Sequence, residues 1–280
     1  MSKIEVTSPF DGRVVGTVLY GSVKEVQTAL DLAQATFLDH KNALPTYKRV
    51  EILENVVKIM SSQIDELTKL CASEGGKPWV DSQVEVHRAI NGVKLAIEAL
   101  GTREGKQIAM GHTASSANRM AYTFKEPIGV VAAISAFNHP LNLAIHQVIP
   151  AIAVGCSVII KPATQTPMSA IRLVEILEEA GLPKGWAQAV VCDREGGELL
   201  ATSAKVNALT FIGSGKVGWY LNSKVAPGTR VALEHGGVAP VIVEADANID
   251  ELIPSIGKGG FYHAGQVCVS VQRVFVHESI

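Results

Sequence analysis

Aromatic side chains are scarce: Phe, Trp and Tyr make up 5% of the 280 residues, against 47% for all hydrophobic residues. Ala, Val, Ile and Gly carry the apolar content instead, which is the profile of an α/β protein with buried parallel strands. Charge of either sign is not in excess, and a net charge of −2 leaves no footprint for nucleic acid or an anionic membrane. Long apolar runs are missing too. The stretch 130–137 is too short to cross a bilayer, and 148–160 is interrupted by Pro150 and Gly155. The first residues, Met1-Ser2-Lys3-Ile4-Glu5, lack the apolar core of a signal peptide. The cysteines Cys71, Cys156, Cys192 and Cys268 share no C-x-x-C spacing, so neither a metal site nor a disulfide framework is indicated. These absences describe a soluble, cytoplasmic protein with reduced thiols. Its length suits two domains with a large core.

Periodicity divides what is there. The first hundred residues read as helical, with apolar residues at helical spacing over 22–41 and 45–73. Gly75-Gly76-Lys77-Pro78 breaks the chain, and a third helix is predicted over 80–101. Residues 106–125 read as a protruding hairpin. From Ile128 short apolar strands alternate with helices. Strands are predicted at 129–135, 157–161, 187–191, 208–212 and 231–234, and helices at 141–153, 167–180, 196–203 and 214–224. Thr166-Pro167 offers an N-cap and first-turn proline for one of these helices. The alternation implies a parallel five-stranded sheet with flanking helices. A strand at 240–243, a helix at 249–264 and a strand at 273–276 begin a further unit.

Three residues from different segments suit covalent chemistry on a carbonyl. Cys268 closes Gly265-Gln266-Val267-Cys268, Glu234 ends a predicted strand, and Asn138 follows another. A thiol can attack, an amide can hold the oxyanion, and a carboxylate can activate water. Each has a plainer alternative. A cysteine is often a small buried hydrophobe, Asn138 could cap the helix that follows Pro140, and Glu234 could be solvated. Gly213-Ser214-Gly215-Lys216-Val217-Gly218 fits G-x-G-x-x-G between a strand and a helix. Its glycines would admit a phosphate to the helix N-terminus. A dinucleotide fingerprint expects an acid about 20 residues on, a place that Glu234 fills.

These motifs together resemble the aldehyde dehydrogenase family over essentially the whole chain. Phe211-Ile212-Gly213-Ser214…Gly218 is similar to the family's phosphate-side turn except at Ile212. Glu234-His235-Gly236-Gly237 is similar to its general-base segment, with His235 where leucine is usual. Ala136-Phe137-Asn138-His139-Pro140 is similar to a further segment, with Ala136 and Phe137 where proline and tryptophan are usual, and Lys161-Pro162-Ala163-Thr164-Gln165-Thr166-Pro167 matches another. The resemblance implies a Rossmann-like cofactor domain at 1–105 and 128–236, a β-hairpin oligomerisation arm at 106–127, and the start of a second α/β catalytic domain at 237–280. That domain would continue beyond Ile280 in a longer family chain.

The resemblance also assigns roles. Cys268 would be the nucleophile, Asn138 the oxyanion donor and Glu234 the base, rather than the ribose-holding acid. Lys161, Thr164, Gly213, Ser214, Gly218 and Phe137 would hold NAD or NADP. Where many NAD-preferring members carry a glutamate, Thr164 removes the repulsion of a 2′-phosphate, so NADP is accepted or preferred. The implied partners are a small aldehyde and further copies of a full-length chain in a homodimer or homotetramer.

Arg88 interrupts the spacing Val80, Val84, Gly92 and needs a partner. It resembles an arginine of members acting on small anionic aldehydes, and with His139 it would bind a carboxylate, phosphate, phosphonate or sulfonate. The plain alternative is an ion pair with Glu85. Two rival functions remain at this level. One is a non-catalytic nucleotide-binding protein or inactive fragment of this fold. The other is a coenzyme A-acylating enzyme, which Glu234 disfavours because a thiol acceptor needs no hydrolytic base.

Overall fold

A computed structural model describes residues 2–280. It opens with an antiparallel hairpin of β1 (Ser2–Thr7) and β2 (Val14–Tyr20). The sequence gives no such expectation, and the reason is physical. Only Val6 and Val18 of the hairpin are buried, against Val191, so the alternation that marks a strand is weak. Helix α1 (Val23–Leu38) follows, started by a capping box in which Ser22 and Glu25 exchange side-chain and backbone hydrogen bonds. The single helix expected over 45–73 is two, α2 (Thr46–Ser62) and α3 (Ile64–Gly75), separated by Gln63 at φ −118°. Gly76 ends α3 in the left-handed conformation, and α4 (Trp79–Gly101) starts after Pro78. The expected hairpin is β3 (Gln107–Ile108) paired with β4 (Ala121–Tyr122).

The sheet then assembles from β5 (Val130–Ile134), β6 (Val158–Lys161), β7 (Ala187–Ala189), β8 (Val206–Gly213) and β9 (Arg230–His235). All pairings are parallel and the order is β7-β6-β5-β8-β9. Helices α5 (Asn142–Val154), α6 (Met168–Glu179), α7 (Arg194–Thr202) and α8 (Gly215–Asn222) alternate with the strands. Strand β5 shows why the sheet needs helices on both sides. Val131 and Ala133 join the cluster beneath α2 to α6, while Val130 and Ala132 join the one beneath α1 and α7. The strand order reverses between β5 and β8, and ligands in such sheets bind outside the carboxyl ends of strands at that point.

Helix α6 starts differently from the sequence reading. Thr166 does not cap it: its hydroxyl donates to the Phe137 carbonyl (3.0 Å). The cap is the buried Glu74 carboxylate, which accepts from the N–H groups of Met168 (2.8 Å) and Ser169 (2.9 Å). Burial raises that carboxyl to about 7.

Residues 237–280 form a smaller piece. Strands β10 (Val241–Val243) and β11 (Val274–Val276) pair in parallel, linked through α9 (Ile249–Phe261). The helix expected to reach residue 264 stops at Phe261, because His263 (φ 60°) and Ala264 (φ 56°) turn left-handed. Among the described residues no helix is long and apolar enough to cross a membrane.

Candidate active site

Strand β5 delivers the turn Ser135–Leu141 to the carboxyl edge of the sheet. Glu85, from α4, fixes this turn. Its Oε1 accepts from the N–H groups of Leu141 and Asn142 (both 3.0 Å), which satisfies the start of α5 and places a carboxylate at its positive end. The N-cap alternative for Asn138 is thereby excluded. Glu85 also pairs with Lys77, and both side chains are fully buried. Such a pair is tolerable only when its remaining valences are met. Lys77 Nζ meets one of them by donating to the Asn138 carbonyl (2.9 Å).

The segment leading to Cys268 approaches from the other side. After α9 the chain runs through three left-handed residues, His263, Ala264 and Gly265. His263 N–H donates to Asp81 Oδ2 (2.9 Å), and its ring stacks on His139 with centroids 3.8 Å apart and planes 8° from parallel. Gln266 Nε2 donates to the Gly75 carbonyl (3.2 Å), while Gln266 O accepts from Asn138 Nδ2 (2.7 Å). The Asn138 amide has a second N–H left for an oxyanion. The Cys268 N–H makes no hydrogen bond among the described residues, and its carbonyl accepts from Gly237 N–H (3.0 Å). Gly237 lies just past Glu234, at the end of β9. The structure therefore gathers the amide, the thiol segment and the carboxylate-bearing strand end on one edge.

The four thiols separate by environment. Cys268 is exposed and the other three are buried. Burial pushes Cys71 far above the ordinary thiol range and Cys192 up to about 11. The Glu234 side chain, on paired strand β9, is exposed and makes no hydrogen bond or ion pair among the described residues.

The expected cofactor residues line the same edge. Lys161 ends β6, and among the described residues its ammonium donates only to the neighbouring Pro162 carbonyl (3.3 Å). Desolvation lowers its pKa. Thr164 is half-buried in the turn that follows. Phe137, whose carbonyl accepts from Thr166 of the same turn as Thr164, is exposed in the β5 turn. Ser214 caps α8, accepting from Val217 N–H (3.4 Å). The glycines of this turn serve packing. A Cβ on Gly218 would lie 2.3 Å from His235 Nε2, and one on Gly213 would lie 2.7 Å from the Phe211 ring. His235, on β9, fills the space that Gly218 leaves and touches Phe211 and Trp219 edge-on.

Arg88 corrects one sequence reading. Helix α4 buries Ser82, Glu85, Val86, Ala89, Ile90 and Val93, whereas Val80, Val84 and Arg88 lie on its exposed side. The spacing therefore marked the outer face and not a core stripe. The proposed ion pair with Glu85 is also absent, since Glu85 is committed to Lys77. The Arg88 charge instead acts on His139, His146 and Tyr262, and no acid pairs with it among the described residues. His139 is 7% exposed, and burial followed by the His263 ring holds its pKa down to about 3. It stays a neutral imidazole.

Sequence reasoning missed Glu74, Lys77, Asp81, Glu85 and His263. The available signal was charge within apolar helical runs at 74–85, which a chain-break reading of Gly75-Gly76-Lys77-Pro78 passed over.

Comparison with known proteins extends over the whole chain. The description "Aldehyde dehydrogenase family" matches residues 1–280. The 3-sulfolactaldehyde dehydrogenase of Priestia aryabhattai is 38% identical over 279 residues, covering 99% of this chain and 58% of that protein. The lactaldehyde dehydrogenase of Methanocaldococcus jannaschii is 36% identical over 282 residues, covering 99% and 59%. Among solved structures, a glyceraldehyde-3-phosphate dehydrogenase from Methanocaldococcus jannaschii complexed with NADP superposes with a TM-score of 0.91 at 36% identity, covering 99% of this chain and 60% of that one. The chain thus spans somewhat over half the length of these relatives, with their α/β fold throughout. It belongs to the aldehyde dehydrogenase family.

Proposed function

We propose that the chain carries the cofactor-binding and nucleophile-bearing part of an NAD(P)-dependent aldehyde dehydrogenase that oxidises a small anionic aldehyde to its acid. One observation carries this reading: the Asn138 amide is hydrogen-bonded to the segment that ends in the exposed Cys268. Cys268 adds to the aldehyde carbon. The second N–H of Asn138, together with the Cys268 N–H, holds the resulting oxyanion. Oxidation needs a hydride acceptor, which NAD(P) would supply when bound. Glu234 then removes a proton from the water that cleaves the thioester and releases the acid.

The residues present fit the cofactor. Lys161 is a partly buried ammonium that makes no ion pair among the described residues, suited to a ribose or phosphate oxygen. Ser214 and the α8 N-terminus suit the phosphates, and Phe137, Gly213 and Gly218 would border the same site. Thr164 sets no carboxylate against a 2′-phosphate, which supports NADP alongside NAD. The solved relative from Methanocaldococcus jannaschii complexed with NADP fits that preference.

Arg88 supports the anionic substrate. It supplies a positive charge, unpaired among the described residues, beside His139, whose neutral ring can add an N–H but not a second charge. The names of the relatives acting on sulfolactaldehyde and lactaldehyde agree with a small polar aldehyde. We assign 2–105 and 128–236 to the cofactor domain, 237–280 to the start of the catalytic domain, and the hairpin at 106–127 to contact with other subunits. The test is nicotinamide reduction with short neutral and anionic aldehydes and each cofactor, with Cys268→Ala as control. Turnover that survives the substitution would overturn the reading.

A further inference from the structure

The carbonyl of Asn138 is a meeting point. It accepts from Lys77 Nζ (2.9 Å) and lies 2.9 Å from His263 Nε2. A carbonyl can only accept, so His263 carries its proton on Nε2 and donates it. Its Nδ1 is buried with no partner among the described residues. A second proton there would be a buried donor without an acceptor, beside the Lys77 ammonium, so the ring stays neutral.

His263 is also an unusual residue for its backbone. It is fully buried at φ 60°, followed by Ala264 at φ 56° and Gly265 at φ 71°. Successive left-handed residues that are not glycine persist only where surrounding contacts hold them. Here the contacts are the Asp81 carboxylate on the His263 N–H, the His139 ring on its face, and the Asn138 carbonyl on its edge. Three residues later Gln266 O accepts from the Asn138 side chain (2.7 Å). Residues 263–266 are thus tied to one asparagine twice, at its backbone and at its amide. We propose that His263 is a positioning residue that locks the Asn138 turn to the strap ending in Cys268, so that oxyanion donor and nucleophile keep one relative geometry.

The inference rests on the aldehyde dehydrogenase reading for its kinetic consequence, but not for its structural one. Three forms of the 280-residue chain are compared: wild type, His263→Phe and His263→Asn. Phenylalanine keeps the stack on His139 and loses the N–H. Asparagine keeps a donor and tolerates the left-handed backbone. Kinetics and backbone amide exchange are measured on each, with thermal unfolding to confirm the fold. The expected result for His263→Phe is a kcat lower by roughly 10- to 100-fold, from misplacement of the reacting groups. KM for aldehyde and affinity for cofactor should stay within about threefold. His263→Asn should recover part of the kcat, and amide exchange should quicken at 263–269 alone. A kcat for His263→Phe within about twofold of wild type would overturn the proposal, as would equal damage to kcat, KM and cofactor binding. If wild type reduces no nicotinamide, these residues assemble only part of a site, turnover gives no readout and exchange alone decides. Faster exchange confined to 263–269 upholds the tie, and unchanged or chain-wide exchange refutes it. Should His263→Phe fail to fold, the same two measurements on His263→Asn decide, with slower turnover and faster local exchange expected.

Discussion

The five-stranded sheet and the segment after it hold their shapes by different means. Strands β5 and β6 are buried on both faces, and α5 buries nine of its residues. Helix α9, of similar length, buries none. Residues 237–280 are positioned instead by specific polar ties, chiefly Asn138 to Gln266, Asp81 and Asn138 to His263, and Gly237 to Cys268. The carboxyl edge of the sheet is thus a consequence of bulk packing, while the place of the Cys268 segment depends on a few hydrogen bonds, chiefly to Asn138 and Asp81. A mutation can therefore disable the second without loosening the first.

That contrast can be broken most severely at Glu85. Replacing it with Ala strands the Lys77 ammonium in a site closed to water and removes the cap of α5. A loss of about 3–5 kcal/mol in urea unfolding is expected. Gly218→Ala comes next. Its methyl would meet His235 Nε2, and a loss of about 1–3 kcal/mol should follow from overpacking. Adding His235→Ala should restore part of it. A Gly218→Ala variant as stable as wild type would show that α8 and β9 can part freely.

His139 gives a test in pH. Its pKa is depressed to about 3, so it adds stability above the ordinary histidine range that is lost as pH falls through and below that range. Between about pH 7.5 and about pH 5 the loss should be about 2 kcal/mol. Glu74, raised to about 7, works in the opposite sense, since its contribution is lost as pH rises through that value. The wild-type profile sums both, so the informative quantity is the difference from His139→Phe, whose urea midpoint should fall less over the same range. Parallel profiles would show that His139 meets water more than its burial indicates. The smallest effect is expected at Ile253, which is 62% exposed on α9. Ile253→Ser should change stability by less than about 0.5 kcal/mol, and a larger loss would mean that the segment has a core of its own.

The sheet was legible because buried parallel strands are written in runs such as Val130-Val131-Ala132-Ala133-Ile134, bounded by turns. The motif positions also fell where expected, at strand ends on one edge. The first hairpin was not legible, since one buried valine per strand makes no period. The Lys77–Glu85 pair was hidden for a related reason: charged residues in a helical run look like a solvated face until the neighbouring helix is known. The left-handed turn at 263–265 was invisible because neither histidine nor alanine signals it. It exists through Asp81, Asn138 and His139, three residues far away in sequence. The proposed roles of Cys268, Glu234 and Asn138 came from resemblance to the family; sheet topology sets Asn138 and Glu234 at one edge, and hydrogen bonds bring the Cys268 segment to it.

The distribution of thiols has a practical corollary. One cysteine of four is exposed in the folded chain. A disulfide reagent added to native protein should therefore react with a single equivalent, and with four after denaturation. The protein carries its own gauge of intactness, and that gauge reads at the proposed nucleophile.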